Sequence, residues 1–443
     1  MIVALPESTF GSIDAGNTSW VLISAALVLL MTPALAFFYG GLSRSKSVLN
    51  MMMMSFASIA TVSVIYVLWG FSMSFGNSLT GDNDIWGIFS NPFALFGSDQ
   101  LMETQGDKVV LWGGADGVHI PAIVFLAFQL TFAVITVALV SGSLAERVKF
   151  STWCAFTVLF TTFVYFPLAH MVWGGGIMSG AEKGFASWMF GSTDGAANVA
   201  PIDFAGGTVV HINAGMAGLV LALIVGKRVG FGKTGYRPHN IPFVMLGAAL
   251  LWFGWFGFNV GSELAADATA GLVWVNTTVA TAAAMVGWLA VEWIRDGKPT
   301  SVGAASGIVA GLVAITPACG ALTPVGSLGL GVIAGILSAL AIGLKFKFGF
   351  DDSLDVVGVH LVAGLWGTVG IGLFAKESGL FYGHNPKQLA VQVVIALFAL
   401  AFTGILTAVI AYILKPMGWR IDKDEEARGI DQGEHAETAY DMA

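Results

Sequence analysis

Long apolar runs alternate with short polar segments along the whole chain. Eleven of these runs are long enough to cross a bilayer, because about 20 apolar residues in a helix span a hydrocarbon core of about 30 Å. They lie near residues 20–40, 48–74, 119–144, 151–173, 204–226, 241–261, 271–294, 302–320, 327–348, 354–375 and 388–414. Clusters of Gly, Pro, Asn and Asp separate them. The pattern predicts an all-α polytopic membrane protein with eleven transmembrane helices.

Composition supports this class. Hydrophobic residues make up 56% of the chain and charged residues only 11%, whereas a soluble domain carries about 25% charged residues. We therefore expect a multi-pass protein of the plasma or inner membrane, with the lipid bilayer as its surroundings. We expect no enzymatic activity, no catalytic residues, no cofactor, no metal site and no nucleic-acid partner.

The basic residues indicate the orientation. Sixteen of the 20 Lys and Arg residues follow odd-numbered runs, and the other four, Lys108, Lys183, Lys376 and Lys387, follow even-numbered ones. Since Lys and Arg accumulate on the cytoplasmic side of membrane proteins, residues 1–19 are predicted to be an extracytoplasmic N-terminal segment. Residues 20–415 would form the membrane domain, and residues 416–443 a cytoplasmic tail.

One spaced motif occurs twice. Asp203 is followed by His211, Gly215 and Gly218, and the same D-x7-H-x3-G-x2-G spacing begins at Asp352 and places a histidine at His360. The first group of five spans begins outside with span one, and the second group begins inside with span six. The two groups therefore have opposite orientations, as an inverted repeat requires. We therefore predict two five-helix halves, at about 20–226 and 241–375, followed by an eleventh helix at about 388–414.

The two histidines are expected to meet near the middle of the bilayer. Each lies eight residues after its acid, about 12 Å along a helix, one entering from each side. An ionisable residue inside a span is costly and usually faces the bundle interior along a transport pathway. The alternative for either residue alone is a histidine satisfied by a backbone carbonyl; the symmetric pair favours function. Glycines at i+4 and i+7 would let the helices approach closely.

Several segments resemble the ammonium transporter family, which comprises the Amt, MEP and Rhesus proteins. The segments are DFAGGTVVHINAG (203–215), FFYGGLSRSKSVLN (37–50), SLAERVKF (143–150), HMVWGGG (170–176), GKRVGFGK (226–233), GWFGFNVGS (254–262), TPACG (316–320) and DVVGVH (355–360). They look like the bacterial Amt-type members in the same order. The resemblance covers residues 20 to about 440, nearly the whole chain.

This resemblance implies a homotrimer in which each eleven-helix protomer has its own narrow pore for ammonium. It implies an outer recruitment site of Trp173, Ser262 and Phe132, a gate of Phe132 and Phe258, and a pore with His211, His360 and Trp255. It also implies orienting acids at Asp203 and Asp352. A PII-type signal protein would bind at the cytoplasmic face, where the tail lies. The recruited cation would be deprotonated and ammonia passed along the pore, with or without proton co-transport.

Alternatives stay open at this point. The same site could serve an ammonium sensor (transceptor), or a neutral gas channel of Rhesus type. In a third class, a membrane redox protein, His211 and His360 would be axial haem ligands, but this alternative leaves the neighbouring phenylalanines unexplained. Asp203 could be a helix N-cap, or a negative charge whose field attracts the cation.

Three further features of the sequence concern the ends of the spans. Glu146 and Arg147 are expected to form an ion pair with each other. The tail could be disordered, because it is polar and charged, or packed under the membrane domain, as the resemblance implies. The segment 77–117 is long and has no assigned role.

Overall fold

The computed structural model describes residues 5–81, 83–114, 117–233 and 236–440. The first four residues of the predicted N-terminal segment and the last three of the predicted tail lie outside the described residues. The long helices are α1 (Ala15–Leu42), α2 (Val48–Thr80), α3 (Ala122–Leu144), α4 (Phe150–Trp173), α5 (Gly207–Val225), α6 (Ile241–Val260), α7 (Ala268–Asp296), α8 (Ser301–Ile315), α9 (Pro324–Phe348), α10 (Val357–Phe374) and α11 (Lys387–Ile413).

Within these described ranges, ten helices are long and apolar enough to cross a membrane. The chain is therefore a mostly helical, multi-pass membrane protein. The remaining helix, α8, is shorter than these ten. It has 15 residues, although an apolar run extends over 302–320. Its helix ends at Ile315, just before Pro317, which has no backbone N–H to continue the helical hydrogen-bond ladder.

Several helices begin at a side-chain cap, which explains where the apolar runs become helical. Asp14 accepts a hydrogen bond from the backbone N–H of Asn17 at the start of α1. Asn240, Asp267 and Thr300 do the same, three residues ahead, at the starts of α6, α7 and α8. Each cap satisfies an N–H group that the first helical turn leaves without an intrahelical partner.

The two ends of the bundle differ. The N-terminal face carries the N-terminal segment and the connections that precede α3, α5, α7, α9 and α11. The C-terminal face carries the other connections and residues 414–440. Short antiparallel strands lie on the N-terminal face: β1 (Phe10–Gly11), β2 (Asp84–Ile85), β3 (Phe89–Ser90), β4 (Thr104–Gln105), β5 (Lys108–Val110), β6 (Ser192–Thr193) and β7 (Ala196–Ala197). They pair as β1-β5-β4, β2-β3 and β6-β7, so much of segment 77–117 is folded over this face.

Close packing of α1 against α6 depends on glycines along one side of α6. A Cβ added at Gly247 would lie 2.4 Å from the backbone nitrogen of Phe38, and one at Gly254 would lie 2.8 Å from the carbonyl oxygen of Leu27. Because no side chain fits in these gaps, the two backbones approach directly. This approach brings both helices to the centre of the bundle.

Charged residues on the C-terminal face form a network that corrects one sequence prediction. Glu146 does not pair with Arg147: its carboxylate contacts Arg44 at 2.7 Å and Arg228 at 3.8 Å. Arg147 is buried, and its guanidinium donates instead to Ser353 and to backbone carbonyl oxygens, including that of Asp351 at 2.7 Å. Glu146 has a φ of 72°, and this backbone turn separates the two side chains.

The tail is folded against this face, so the packed alternative describes residues 414–440. Two short helices, Lys423–Arg428 and Asp431–His435, follow α11. The Asp431 carboxylate accepts from the backbone N–H groups of Leu49 and Asn50 at 3.0 and 2.8 Å, and so caps α2. Glu434 accepts from the N–H of Phe150 at 2.7 Å and caps α4.

Candidate functional site

The site begins with the acid that precedes α5. Asp203 accepts hydrogen bonds from the backbone N–H groups of Gly206, Gly207 and Thr208 at 2.6–2.9 Å, and from the Thr208 hydroxyl. Gly206 has a φ of 115°, a conformation open mainly to glycine. Both carboxylate oxygens of Asp203 are thus engaged by the helix start, which is the N-cap alternative of the sequence analysis.

The acid before α10 is used in the same way. Asp352 accepts from the backbone N–H groups of Val356 and Val357 at 3.1 and 2.7 Å. Its carboxylate also accepts from the Ser143 hydroxyl at 2.9 Å. Both capped helices open with a π-helical turn, Gly207–Ile212 in α5 and Val357–Leu361 in α10. Such turns are rare in proteins overall, and those that occur are often found at functional sites. Each of these two turns contains a histidine of the repeated motif.

The structure brings the two histidines into contact. Their Nδ1 atoms lie 3.4 Å apart and their rings are 5.5 Å apart at the centroids, inclined by 21°. Neutral imidazole has one donor and one acceptor nitrogen, so one Nδ1 faces the other as donor to acceptor. His211 is fully buried, and its Nε2 has no hydrogen-bond partner among the described residues. That nitrogen is free to bond a molecule in the lumen.

Glycines of the repeated motif allow this contact. A Cβ at Gly215 would lie 2.5 Å from the backbone nitrogen of Leu361, next to His360. A Cβ at Gly364 would lie 3.0 Å from the Cβ of His211. Each helix therefore presents a glycine to the histidine turn of the other. The i+4 glycine of α5 thus lies against α10, and the i+4 glycine of α10 lies against α5.

The histidines line a narrow apolar lumen at the centre of the bundle. Its cavity is about 10 Å³, near the 10–15 Å³ that a single water molecule needs. The wall is built by α1, α3, α5, α6, α8 and α10 through Met31, Leu35, Phe38, Ile135, Leu139, Val210, His211, Leu251, Trp255, Phe258, Val309 and His360. Apart from the imidazoles and one indole N–H, these side chains offer hydrocarbon and sulfur only.

Two phenylalanines close the lumen towards the N-terminal face. Phe132 and Phe258 stack with their centroids 4.2 Å apart and 26° between planes, and both are fully buried. Trp255 stacks on His211 at 5.5 Å and 17°. The indole N–H of Trp255 donates to the Thr316 hydroxyl at 2.9 Å, which fixes the ring against the imidazole. The aromatic stack therefore continues from the closed end to the histidine pair.

Trp173 and Ser262 lie beyond the phenylalanines. Trp173 and Phe132 pack in a T-shaped arrangement, with centroids 6.2 Å apart and 87° between the planes, and the Trp173 indole N–H donates to the backbone carbonyl of Asp203 at 2.9 Å. Ser262 is one turn after Phe258, and its hydroxyl donates to the Phe258 carbonyl at 2.8 Å. Because the Ser262 proton is used in this bond, its oxygen keeps lone pairs that can accept a further hydrogen bond.

The end of α4 that carries Trp173 is tied to the β2–β3 hairpin. His170 is fully buried, and its Nε2 lies 2.6 Å from an Asp84 oxygen. Burial alone would raise the pKa of Asp84, but hydrogen bonds from Lys183 and His170 outweigh it and lower this pKa. The contacts of Asp84 with His170 and Lys183 thus hold the β2–β3 hairpin against the end of α4, three residues from Trp173.

Sequence reasoning also missed Glu263, which directly follows Ser262 and is partly buried. Burial, with a smaller contribution from the carboxylate of Asp267, raises the pKa of Glu263 from its ordinary value of 4.5 to about 7. Glu263 therefore changes charge near neutral pH beside Ser262. An acid directly after a candidate binding serine was the signal that could have pointed to it.

The fold and this site define a multi-pass helical membrane protein with a narrow, apolar lumen that contains two histidines. A model of the Ammonium Transporter Family matches residues 19–440. The chain belongs to this family, which is a family of transporters and not of enzymes.

Relatives support the assignment over almost the full length. An "Ammonium transporter" of Mycobacterium bovis is 52% identical over 454 aligned positions that cover 97% of this chain and 91% of that protein. One of Aquifex aeolicus is 46% identical and covers 97% and 94%. Among solved structures, a "Sensor Amt Protein" has a TM-score of 0.81 at 28% identity over 95% and 98%. Saccharomyces cerevisiae Mep2 has a TM-score of 0.78 at 30% identity over 93% and 89%.

Proposed function

We propose that this protein takes up ammonium selectively, capturing the cation at the N-terminal face and passing neutral ammonia through the lumen between His211 and His360. The observation that carries the proposal is the contact of the two imidazoles, 3.4 Å apart, inside an apolar lumen. The named relatives are ammonium transporters, which supports the choice of substrate.

Capture at the entrance uses Trp173, Phe132 and Ser262. An aromatic face attracts a small cation by about 0.5–2 kcal/mol, and Trp173 is held for this by its bond to Asp203. The oxygen of Ser262 accepts one N–H of the ammonium ion. Asp203 acts through its backbone carbonyl and its cap, as a positioning residue.

Deprotonation follows from the environment of the lumen. A full charge at the centre of a bilayer costs between about 2.5 and more than 10 kcal/mol. Phe132 and Phe258 form the gate that separates the wet entrance from the apolar interior. On passing it, the ammonium ion transfers one proton to the Nε2 of His211, unpartnered among the described residues, and neutral ammonia continues along the lumen. Trp255 forms the wall below the gate and keeps His211 in place.

The histidine pair guides ammonia. The free Nε2 of His211 bonds the molecule, and the shared Nδ1 contact provides a route along which a proton can pass between the rings. Potassium has no proton to release. Selectivity therefore depends partly on an acid–base step, and replacing either histidine with an acid, as in His211→Asp, is expected to admit potassium.

The architecture proposed with this function has eleven spans, with α8 as the eighth. The lumen is lined by α1, α3 and α5 and by α6, α8 and α10, which are the equivalent helices of two halves, about 20–226 and 241–375, in an inverted repeat. The distribution of basic residues supports an N-terminal face on the outside and a tail, residues 416–443, in the cytoplasm. A homotrimer and a PII-type partner at the C-terminal face complete the proposal.

The decisive experiment measures current from proteoliposomes on a solid-supported membrane after ammonium and potassium pulses. Wild type, His211→Ala and the exposed control His384→Ala are compared. We expect a transient for ammonium alone, lost in His211→Ala and kept in His384→Ala. A transient of equal size in His211→Ala would overturn the proposed role of the pair.

The structural neighbour described as a sensor supports a second candidate, in which the site reports ammonium without appreciable flux. Internal alkalinisation of the same vesicles separates the possibilities. Alkalinisation without current indicates a neutral gas channel, whereas silence in both measurements favours the sensor.

A further inference from the structure

A groove of about 850 Å³ lies on the outer surface of the bundle between α2, α4 and α11. Its walls include Phe163, Leu406 and Ile413, and one end is closed by Phe93 and Phe96 from the segment that follows β3. The volume lies within the range of about 300–1,000 Å³ that is typical of ligand sites. It is separate from the lumen and plays no part in the proposed transport pathway.

The groove offers nothing to a polar ligand. Its lining is hydrocarbon and a methionine sulfur, with two exceptions, the indole N–H of Trp69 and the hydroxyl of Thr162. These two groups satisfy each other, because the indole N–H donates to the Thr162 oxygen at 3.2 Å. A bound molecule must therefore present hydrocarbon to this surface.

The closing segment, Asn91–Ser98, is built to lie against a membrane. Its backbone is bonded to α2: the N–H of Gly97 donates to the carbonyl of Leu68 at 3.0 Å, and the Ser72 hydroxyl donates to the carbonyl of Asn91 at 2.6 Å. Irregular backbone is tolerated near hydrocarbon only when its polar groups are satisfied by protein. Phe93 and Phe96 are nevertheless 62% and 50% exposed, so they extend the apolar surface of the helices.

The length of the groove fits a lipid chain. Along α11 it runs from Phe402 to Ile413, about 16 Å at the helical rise of 1.5 Å per residue. This is close to half of a hydrocarbon core of about 30 Å, the depth of one leaflet. The helices that form the groove carry further exposed apolar side chains, among them Val64, Leu397 and Ile405.

We propose that this groove is a binding site for the acyl chains of a membrane phospholipid, held under the aromatic segment Asn91–Ser98. Burial of each methylene group is worth about 0.8 kcal/mol, so a chain enclosed on several sides is retained longer than lipid on an open helix face. The headgroup lies outside the groove and is not selected by its lining.

The test uses a phosphatidylcholine that carries a photoreactive diazirine on its acyl chain, reconstituted with the full-length protein in phosphatidylcholine vesicles. Labelled peptides are mapped by mass spectrometry in wild type, Leu406→Trp and Ile405→Trp. The Leu406→Trp substitution fills the groove. Ile405→Trp is the matched control, because this neighbour on α11 is 64% exposed and does not line the groove.

We expect labelling concentrated on Asn91–Ser98 and the groove side of α11, reduced about tenfold in Leu406→Trp and unchanged in Ile405→Trp; tenfold corresponds to the loss of roughly two buried methylene groups. Competition by unlabelled phosphatidylglycerol and phosphatidylcholine should be equal, since only the chains are recognised. Equal labelling of all three proteins, or labelling no stronger than on the exposed face of α7, would overturn the proposal. Photoproducts joining two copies across the groove would also do so, because a second copy would then occupy it.

Discussion

Adding a methyl group at Gly215 should separate the two histidine-bearing helices. The new Cβ of Gly215→Ala would lie 2.5 Å from the backbone nitrogen and 2.6 Å from the Cα of Leu361, whereas ordinary contacts begin at 3.4 Å. Backbone cannot rotate out of the way as a side chain can. The helices must therefore move apart by about 0.9 Å, a shift that adds directly to the 3.4 Å between the imidazole nitrogens.

Such a shift should weaken transport far more than it weakens folding. Hydrogen bonds to nitrogen are made at about 2.7–3.2 Å, so the histidine contact, already long, would be lost. Misplacement of a reacting group by about 1 Å can cost about 10²-fold in rate. Overpacking a core by one methyl group typically costs about 1–3 kcal/mol of stability, which leaves a membrane protein folded in most cases.

A graded series of alanine variants makes this reasoning testable. At Gly364 the added Cβ would be 3.0 Å from the Cβ of His211, so about 0.4 Å of movement suffices; at Gly271 nothing lies within 4 Å. Ammonium-evoked current should fall in the order Gly271→Ala, Gly364→Ala, Gly215→Ala, with Gly271→Ala at the wild-type level. Thermal unfolding of each purified variant provides the control for folding. Wild-type current in a folded Gly215→Ala protein would refute the argument.

Three more predictions concern groups outside the lumen. The Arg228 guanidinium donates to both oxygens of the buried Asp351 carboxylate at 2.9 Å, so Arg228→Ala should lower stability by about 3–5 kcal/mol by leaving that carboxylate unpaired. Arg295→Ala breaks only the exposed pair with Asp296 and should change stability by less than about 1 kcal/mol; thermal unfolding compares the two variants. Asp203→Asn should lower stability by about 0.5–2 kcal/mol through the weakened cap and raise the ammonium concentration for half-maximal current. Burial and a neighbouring carboxylate raise the pKa of Glu263 to about 7, so this side chain is mostly neutral at pH 6 and mostly negative at pH 8. Half-maximal current should therefore need roughly two- to fivefold less ammonium at pH 8 than at pH 6. The Glu263→Gln variant should show no such difference.

Local features of the fold could be predicted because they are written in consecutive residues. Apolar length located the helices, and Asp203 and Asp352 stand where α5 and α10 begin. The depth of eight residues from either side placed His211 and His360 close together, and the structure has them in contact. Each of these inferences needs only the rise of a helix and the thickness of a bilayer.

Contacts between distant segments could not be predicted in this way. Apolar periodicity does not say which carboxylate a given arginine reaches, so Glu146 was paired with its neighbour when its partners are Arg44 and Arg228. The length of α8 was overestimated because hydropathy continues past the turn at Pro317. The stack of Trp255 on His211 depends on a hydrogen bond to Thr316, 61 residues away, and nothing in either local sequence indicates it.

The repeated motif acquires its meaning from the way its parts depend on each other. Each acid fixes the first turn of its helix, and the π-helical turn that follows carries the histidine. The glycine four residues later removes the side chain that would keep the other helix away. We expect a change in any one part to lengthen the 3.4 Å contact between the two imidazole nitrogens. A single histidine could bind ammonia, but only a pair offers a donor and an acceptor to each other, which is what passing a proton through an otherwise apolar lumen requires.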